Sequence, residues 1–484
     1  MKDNIQTYLQ ETFVQWKGFL PEHIEIIAQA GGNRQYFRLH WGQNQSCVAT
    51  YNPTHLAENE AFIYLTQHFQ ALNLPVPTLL YVGTKKDIYF QSDEGKEALF
   101  EVLKREKYTE NVYELYKKSL LHLAQMQIKG HENMDYSYCI DFPVFDKATI
   151  DYDLRYFFFY FVYTLPLTYN RSHLFQDFEK LSTFLSAEKN QFFMFRDFQS
   201  RNILVKDNNV HFIDYQGGMK GALQYDVVSL LWQARAALPQ KWKDSLFDFY
   251  VETANELLNG SLDKADFHEK YEGFILIRML QTLGSYGFRG LFERRPYFLS
   301  AIPFALKQLK GFLHNYQLAL PLPELEKVLH QLTDEKISTH FQAITATEAH
   351  KLVVKIKSFS YKKGIPQDKS SNGGGFVLDC RGILNPGRFA PYKELTGRDA
   401  PVQTFLLTET EMPAFLKHVY ALVSISVENY LARDFDSLCI NFGCTGGQHR
   451  SVFAADSLAK YLKETFKVKI ELEHRERGWE VENS

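Results

Sequence analysis

The stretch "MFRDFQSRNILVKDNNVHFIDYQ" (194–216) constrains this chain more than any other. Asp197 and Asn202 stand in a D-x-x-x-x-N spacing. Two short apolar runs follow, and the polar residues between them predict a β-hairpin with an Asn-Asn turn. Asp214 closes the second run. A hairpin so placed brings a carboxylate, an amide and a second carboxylate towards one end of two strands. Phosphoryl transfer uses that set. One carboxylate receives the proton of the attacking hydroxyl, while an amide oxygen and the other carboxylate hold Mg²⁺ against nucleotide phosphates.

The surrounding pattern is two-lobed. Residues 1–100 carry strand-like runs: "QYFRLHW", "SCVATYN", "TLLYVG", "DIYFQS" and "ALFEVL". One helical stretch, "ENEAFIYLTQHFQALN", interrupts them, and from 108 to about 335 the spacing is mostly helical. A sheet lobe followed by a larger helical lobe is a kinase-like layout. A chain of 484 residues exceeds one ordinary core. The proline pair in "ALPLPELEKVLHQL" gives way to a polar helix and then to the alternating "KLVVKIKSFSY", which sets a boundary at about residue 345. The expected fold class is α/β. An α+β two-lobe domain spans 1–345, with its small lobe ending at about 105 and the helical lobe covering 106–345. A smaller α/β domain spans 346–484, and within it "DKSSNGGGF" (368–376) reads as a mobile loop.

Composition narrows the partners. A net charge of −3 leaves no global basic field to draw the chain to nucleic acid or membrane. Five cysteines, an odd number with no C-x-x-C pair, suit a reducing compartment and argue against a zinc site. "MKDNIQTYLQETFVQW" has no signal-peptide core. "YFFFYFVYTL", flanked by Asp153, Arg155 and Pro166, is too short to cross a bilayer and reads as a buried helix. A cytoplasmic location with no membrane partner is expected.

Together with "AGGNRQYFRL", "TYNPTHLAENEAF", "LNLPVP", "IDYQGGMKGALQYDVVSLL" and "IRMLQTLGSYGFRGLFER", the hairpin stretch resembles the aminoglycoside phosphotransferase superfamily over roughly residues 25–315. Within it, the chain is most similar to bacterial anomeric sugar kinases of the AmgK type. The resemblance implies Asp197 as catalytic base, Asn202 and Asp214 as Mg²⁺ ligands and ATP as donor. The implied acceptor is the anomeric hydroxyl of N-acetylmuramate or N-acetylglucosamine. Gly31 and Gly32 fit a phosphate-covering loop, and Asp226 reads as structural. Two departures stand out. Phe195 occupies a place where the family usually has His, and reads as a packing change. No lysine lies between Lys17 and Lys85, so "SCVATYN" has no phosphate-pairing lysine; Arg34 and Arg38 are the candidates to supply that charge. Glu60 sits where kinases place the glutamate partner of that lysine.

The second domain carries its own phosphate signal, "NFGCTGGQHRSVF" (441–453). "DSLCINFG" predicts a buried strand, and "SVFAADSLAKYLKETF" predicts a helix with Val452, Phe453, Leu458, Leu462 and Phe466 at helical spacing. Between them Gly446 and Gly447 let backbone N–H groups converge, while the helix N-terminus and Arg450 add positive charge. Cys444, Gly447, Arg450 and Ser451 also spell the C-x-x-G-x-x-R-S of cysteine-dependent phosphatases, with Asp399 as the acid that reading needs.

Residues from about 350 to 478 resemble the RapZ C-terminal domain through "SFSYKKGIP", "LDCRGILNPGR", "YKELTGRDAPVQTFL", "GCTGGQHRSV" and "EHRE". That resemblance implies hexosamine-phosphate binding, with Thr445, Gly446, Gly447, His449 and Arg450 as contacts. Asp379, Arg381, Asn385, Thr396 and Gly397 lie on neighbouring matching segments, and His474 and Arg475 are candidates to close over the ligand. The family's His after Asn-Pro is replaced by Gly387 and Arg388, with Arg388 the substitute anion partner. Cys444 then reads as a small buried core residue. RNA is the weaker partner. From Lys467 four cations face five glutamates, and Lys351, Lys355 and Lys357 read as the solvated face of an edge strand.

Two readings of the whole remain open. One is an ATP- and Mg²⁺-dependent sugar kinase joined to a hexosamine-phosphate sensor, in amino-sugar metabolism or cell-wall recycling. The other is a regulatory protein of amino-sugar metabolism that binds phosphosugar or RNA and has no kinase turnover. A Cys444-dependent phosphatase is the lesser alternative. The missing lysine favours the regulator; the intact Asp197, Asn202 and Asp214 favour the kinase, which is the reading adopted. A homo-oligomer is compatible with each.

Overall fold

Alternation in the first hundred residues builds one antiparallel sheet. In the computed structural model, which describes residues 2–27, 34–140, 142–293, 296–316, 318–341, 350–366, 375–476 and 478–481, its strands are β1 (His23–Ile27), β2 (Gln35–Trp41), β3 (Gln45–Tyr51), β4 (Leu79–Val82) and β5 (Ile88–Ser92), in the order β1-β2-β3-β5-β4. Successive side chains face opposite sides. Phe90 packs at 6.0 Å from Phe13 of helix Lys2–Lys17, while Tyr89 stacks on Phe62 of helix Leu56–Ala71. The first of these helices falls where only strand patterning was expected.

"ALFEVL" is also not a strand. It opens helix Leu99–Glu106, with Leu99, Val102 and Leu103 buried. Those positions are three and four apart, the helical spacing, and a short apolar run is ambiguous between the two periods.

The helical lobe is built from Glu110–His131, Lys147–Tyr160, Arg171–Ser186, Gln240–Leu257 and Lys264–Tyr286, with shorter helices between. The aromatic run ends helix Lys147–Tyr160 and continues past it; Phe157, Phe158, Phe161 and Val162 are buried, whereas Phe159 and Tyr163 are exposed. Among the described residues no helix is long and apolar enough to cross a membrane. Two small ribbons sit within this lobe: β6 (Gln191–Met194) pairs with β9 (Met219–Ala222), and β7 (Ile203–Lys206) pairs with β8 (Asn209–Phe212). The β7–β8 register sets Lys206 opposite Asn209, so Asp207 and Asn208, at φ +51° and +58°, form the turn rather than the Asn-Asn pair.

The described residues cluster in two compact units: Gln6–Gly287 with Phe304–Asp334, and Met1–Ile5 and Phe288–Pro303 with Glu335–Ser484. The expected boundary near 345, most of the loop 368–376, and Gly31 and Gly32 lie outside the described residues. In the second unit β10 (Val353–Ser360), β11 (Gly375–Asp379), β12 (Ser437–Cys444), β13 (Lys469–His474) and β14 (Trp479–Val481) form a sheet ordered β11-β12-β10-β13-β14, parallel except for β14. Helices Met412–Ala432 and Arg450–Phe466 contribute Val423, Val427, Leu458 and Leu462 to its core. β10 is the central strand, not an edge. Lys355 and Lys357 reach Glu471 and Glu473 across the ladder at 4.0 and 2.6 Å.

Candidate functional site

The loop between β6 and β7 is fixed from beneath. Asp226, fully buried, accepts the N–H groups of Phe195 and Arg196 at 2.7 and 2.9 Å and the Gln127 amide at 3.0 Å. Arg196 adopts φ +78°, an unfavourable backbone for arginine. It is held there by Asp153, at 2.9 and 2.7 Å from one guanidinium nitrogen, and by the Tyr225 hydroxyl at 2.9 Å. Phe195 is buried against Phe198, Phe212 and Tyr215, so apolar packing seats the loop at this point.

Asp197 follows, with its side chain 49% exposed. Its Oδ1 receives Arg278 Nη2 at 3.2 Å and Gln199 Nε2 at 3.4 Å; among the described residues Oδ2 has no protein partner. Desolvation works to raise this carboxyl, but Arg278, Arg201 and Arg196 outweigh it and hold it below the ordinary carboxylate value. Asn202 donates Nδ2 to the Asp197 carbonyl at 2.9 Å, and its own carbonyl accepts the Ile213 N–H at 3.0 Å. That bond sets Asn202 beside Asp214. The Asp214 Oδ1 accepts Gln216 Nε2 at 2.7 Å and lies 3.8 Å from Arg34 Nη1.

Arg34, at the start of β2, is buried and donates Nε to Glu58 at 2.8 Å. Glu58 lies in the first turn of helix Leu56–Ala71 and also accepts the Asn52 amide at 3.2 Å. The structure thus gathers Asp197, Asn202, Asp214 and Arg34. Arg38 is not among them: Asp93 takes its guanidinium at 2.6 and 3.1 Å, and the Gly95 carbonyl at 3.0 Å. Nor is Glu60, which pairs with Lys86 on the surface. Glu58 and Arg278 were not singled out in the sequence. Glu58 lay two residues from the position read, and Arg278 inside the quoted "IRML" stretch.

The free oxygens here are an amide and a carboxylate, the hard donors Mg²⁺ takes. Among the described residues no group of three or more His, Cys, Asp or Glu could hold a metal alone. Two protein oxygens completed by phosphates and water is the usual Mg²⁺ arrangement at a nucleotide, so the residues fit that ion.

In the second unit, β12 runs buried to Cys444 and helix Arg450–Phe466 begins after a short turn. Gly447 takes φ +67° and lies against the Glu476 side chain, so no larger residue fits. Its N–H donates to the Cys444 sulfur at 3.2 Å, and Ser451 Oγ stands 3.1 Å from the same atom. The buried sulfur organises the turn from inside. Among the described residues the N–H groups of Thr445, Gly446 and Gln448 donate to no protein acceptor, and Thr445 and Gly446 are exposed. Open N–H groups at a helix N-terminus form an anion cradle.

Arg450 is buried behind that turn. Nη1 donates to the Arg381 and Ile383 carbonyls at 3.0 and 2.7 Å, Nη2 reaches Thr445 Oγ1 at only 3.4 Å, and among the described residues Nε has no acceptor. Burial lowers its pKa from the ordinary guanidinium value, and the like charge of exposed Arg388 acts the same way. His449 donates Nε2 to the Tyr392 carbonyl at 2.8 Å, with Gly387 against its ring. Gly397 donates to the Gln448 carbonyl at 2.9 Å, and Asn385 accepts the Gly387 N–H at 3.3 Å. Arg381 meets Arg450 through its carbonyl; its exposed guanidinium pairs with Asp379 and lies over Tyr361. Asp399 accepts the Thr396 N–H and hydroxyl, both at 2.7 Å, which commits it to a turn. His474 lies in the interior, 2.8 Å from Ser358 Oγ and 3.2 Å from Asp456. Arg475 binds the Gly364 and Ser360 carbonyls.

An antiparallel sheet lobe and a helical lobe around Asp197, Asn202 and Asp214 define a kinase-like fold. Residues 23–257 match the model of the phosphotransferase enzyme family, and residues 352–478 match that of the RapZ C-terminal domain. Two family models thus match this chain in succession, the phosphotransferase one first and the RapZ C-terminal one after it. Among curated relatives, a nucleotide-binding protein of Endomicrobium trichonymphae is 36% identical over 157 residues, 32% of this chain and 50% of that protein. One from Limosilactobacillus fermentum is 38% identical over 116 residues, 24% of this chain and 38% of that protein. The chain spans half or less of the length of these two relatives. Among solved structures, an aminoglycoside phosphotransferase with GDP and kanamycin aligns with 64% of this chain and 99% of its own, at 13% identity and a TM-score of 0.45. A choline kinase from Cryptosporidium parvum aligns with 68% of this chain and 100% of its own, at 12% identity and a TM-score of 0.44.

Proposed function

We propose that the first unit is an ATP- and Mg²⁺-dependent phosphotransferase acting on a hydroxyl of an N-acetylhexosamine or N-acetylmuramate. The observation that carries this reading is Asp197, with one carboxylate oxygen tethered and the other open, beside the oxygens of Asn202 and Asp214. Asp197 Oδ2 takes the acceptor hydroxyl proton as the acceptor oxygen bonds to the γ-phosphorus. The bond from that phosphorus to the bridging oxygen breaks, and ADP leaves with the electron pair. Asn202 and Asp214 would hold Mg²⁺, which when bound offsets charge on the nucleotide phosphates. Arg34, braced by Glu58, stands in for the absent strand lysine. Arg196, Arg201 and Arg278 surround the base with positive charge. Like-charge repulsion therefore disfavours cationic acceptors and favours neutral or anionic sugars.

The second unit, on this reading, binds a hexosamine phosphate through the open N–H groups of the 445–449 turn and Arg450. RNA is not favoured, because Lys355 and Lys357 are paired with glutamates. The test of the kinase is ATP consumption with Mg²⁺ against N-acetylmuramate, N-acetylglucosamine, glucosamine, kanamycin and choline. The two N-acetyl sugars should be turned over best, and Asp197→Asn should lower that turnover by roughly 10²–10⁴. No turnover of either sugar, or near-normal turnover in Asp197→Asn, refutes the assignment.

A further inference from the structure

Arg278 lies in the middle of helix Lys264–Tyr286, between buried Ile277 and Met279, and is itself 5% exposed. A buried guanidinium in an apolar stretch is costly unless its donors are used. Nη1 donates to Gln281 Oε1, one turn along the helix, at 2.5 Å and reaches the Tyr225 hydroxyl at 3.4 Å. Nη2 goes to Asp197 Oδ1 at 3.2 Å. Asp197 is thus the carboxylate that Arg278 contacts. Arg196 provides the contrast: it is the base's sequence neighbour, yet its guanidinium is committed to Asp153 and Tyr225. Of these two arginines, one holds the loop and the other touches the base.

We infer that Arg278 is the positioning residue of the phosphotransfer site: it pins Oδ1 of Asp197, so that Oδ2 is the oxygen presented to the acceptor hydroxyl. This rests on the reading of Asp197 as the base. A half-exposed carboxylate can swing about its last torsion and exchange its two oxygens. One charge-assisted bond to a rigid helix removes that freedom, and Gln281 fixes the guanidinium that makes the bond. The pin lies 81 residues from the base in sequence, on another element, so the base keeps its aim only while helix and loop stay in register.

The experiment measures kcat and KM for ATP with N-acetylglucosamine and N-acetylmuramate, for the parent chain, Arg278→Gln, Arg278→Lys and Asp197→Asn. Thermal unfolding and MgATP binding are followed alongside. Arg278→Gln should lower kcat by roughly 10–100-fold, the scale of one hydrogen bond to a charged group. Its KM for ATP should stay near the parent value, a split that a merely structural role, which would disturb binding and turnover together, would not give. Arg278→Lys keeps the charge without the planar fork and should recover part of the lost kcat. A folded Arg278→Gln with parental kcat, beside an inactive Asp197→Asn, overturns the inference alone. If Arg278→Gln does not fold, parental kcat in Arg278→Lys overturns it. Turnover retained in Asp197→Asn, or absent from the parent, removes the base assignment instead and the inference with it.

Discussion

Replacing Asp226 by asparagine tests how the loop bearing Asp197 is held. The carboxylate is fully buried beneath Phe195 and Arg196. Burial pushes it up from the ordinary 3.8, the three N–H donors pull it back, and the balance lies at about 7. That rise is about three units, or about 4 kcal/mol at roughly 1.36 kcal/mol per unit. The folded chain therefore keeps a proton that the unfolded chain has released. This group's contribution is full below about pH 4 and is lost as pH rises through about 7. Asparagine cannot titrate, so the variant lacks that slope. Its NH2 must also face at least one of the three donors, and a buried donor left without an acceptor costs about 1–3 kcal/mol at every pH. Urea unfolding followed by tryptophan fluorescence reports mainly on the right unit, since four of the five tryptophans, Trp16, Trp41, Trp232 and Trp242, lie in the first and Trp479 in the second. Between about pH 4.5 and 8, the stability of the parent relative to Asp226→Asn should fall by about 3 kcal/mol. A difference that stays constant, or that grows with pH, refutes the raised carboxyl.

Glu58→Gln removes the charge that braces Arg34. It should raise KM for ATP roughly three- to tenfold, the scale of a half-buried ion pair worth about 1 kcal/mol, with a smaller effect on kcat; steady-state kinetics checks both. Arg450→Ala should weaken glucosamine 6-phosphate binding by roughly 10–100-fold in calorimetry, about 1.5–3 kcal/mol. Cys444→Ser should bind nearly as well as the parent, and phosphate release from the parent that disappears in Cys444→Ser would overturn the sensing interpretation.

Residues close in sequence were legible, and those joined only through the fold were not. Asp197, Asn202 and Asp214 come from one loop and one hairpin, so their spacing nearly dictates their meeting. The strand, glycine turn and helix around Cys444 and Arg450 were readable for the same reason. Arg278 had no such local signal, because a mid-helix arginine reads as a surface residue until helix packing is known. Glu58 and Glu60 differ by two positions, about 200° around a helix, and the helix phase depends on packing against Tyr89 and Tyr215. Arg38 looked like a free cation because Asp93 is far along the chain. β10 read as an edge strand because parallel strand order does not follow chain order, and its lysines therefore looked solvated. His474 sits on a strand and in a charged tail at once; alternation along β13 turns it inward, towards Ser358 and Asp456.

The missing lysine was the main reason to suspect a domain without turnover. Its physical job is to carry a positive charge, fixed by a helix carboxylate, to the phosphate side of the metal ligands. That job does not require the charge to come from the third strand. Arg34 enters at the start of β2, gives one edge to Glu58 at 2.8 Å, and leaves Nη1 directed to within 3.8 Å of Asp214. A guanidinium suits this shorter route, since its planar fork serves two anions at once where an ammonium acts as a point charge. The pair with Glu58 offsets the cost of desolvating that charge, so the arginine can stand buried beside the metal ligands. On the proposed function, the absence of the lysine therefore counts less against catalysis than the sequence alone suggested, because Arg34 and Glu58 already place a braced positive charge beside Asp214.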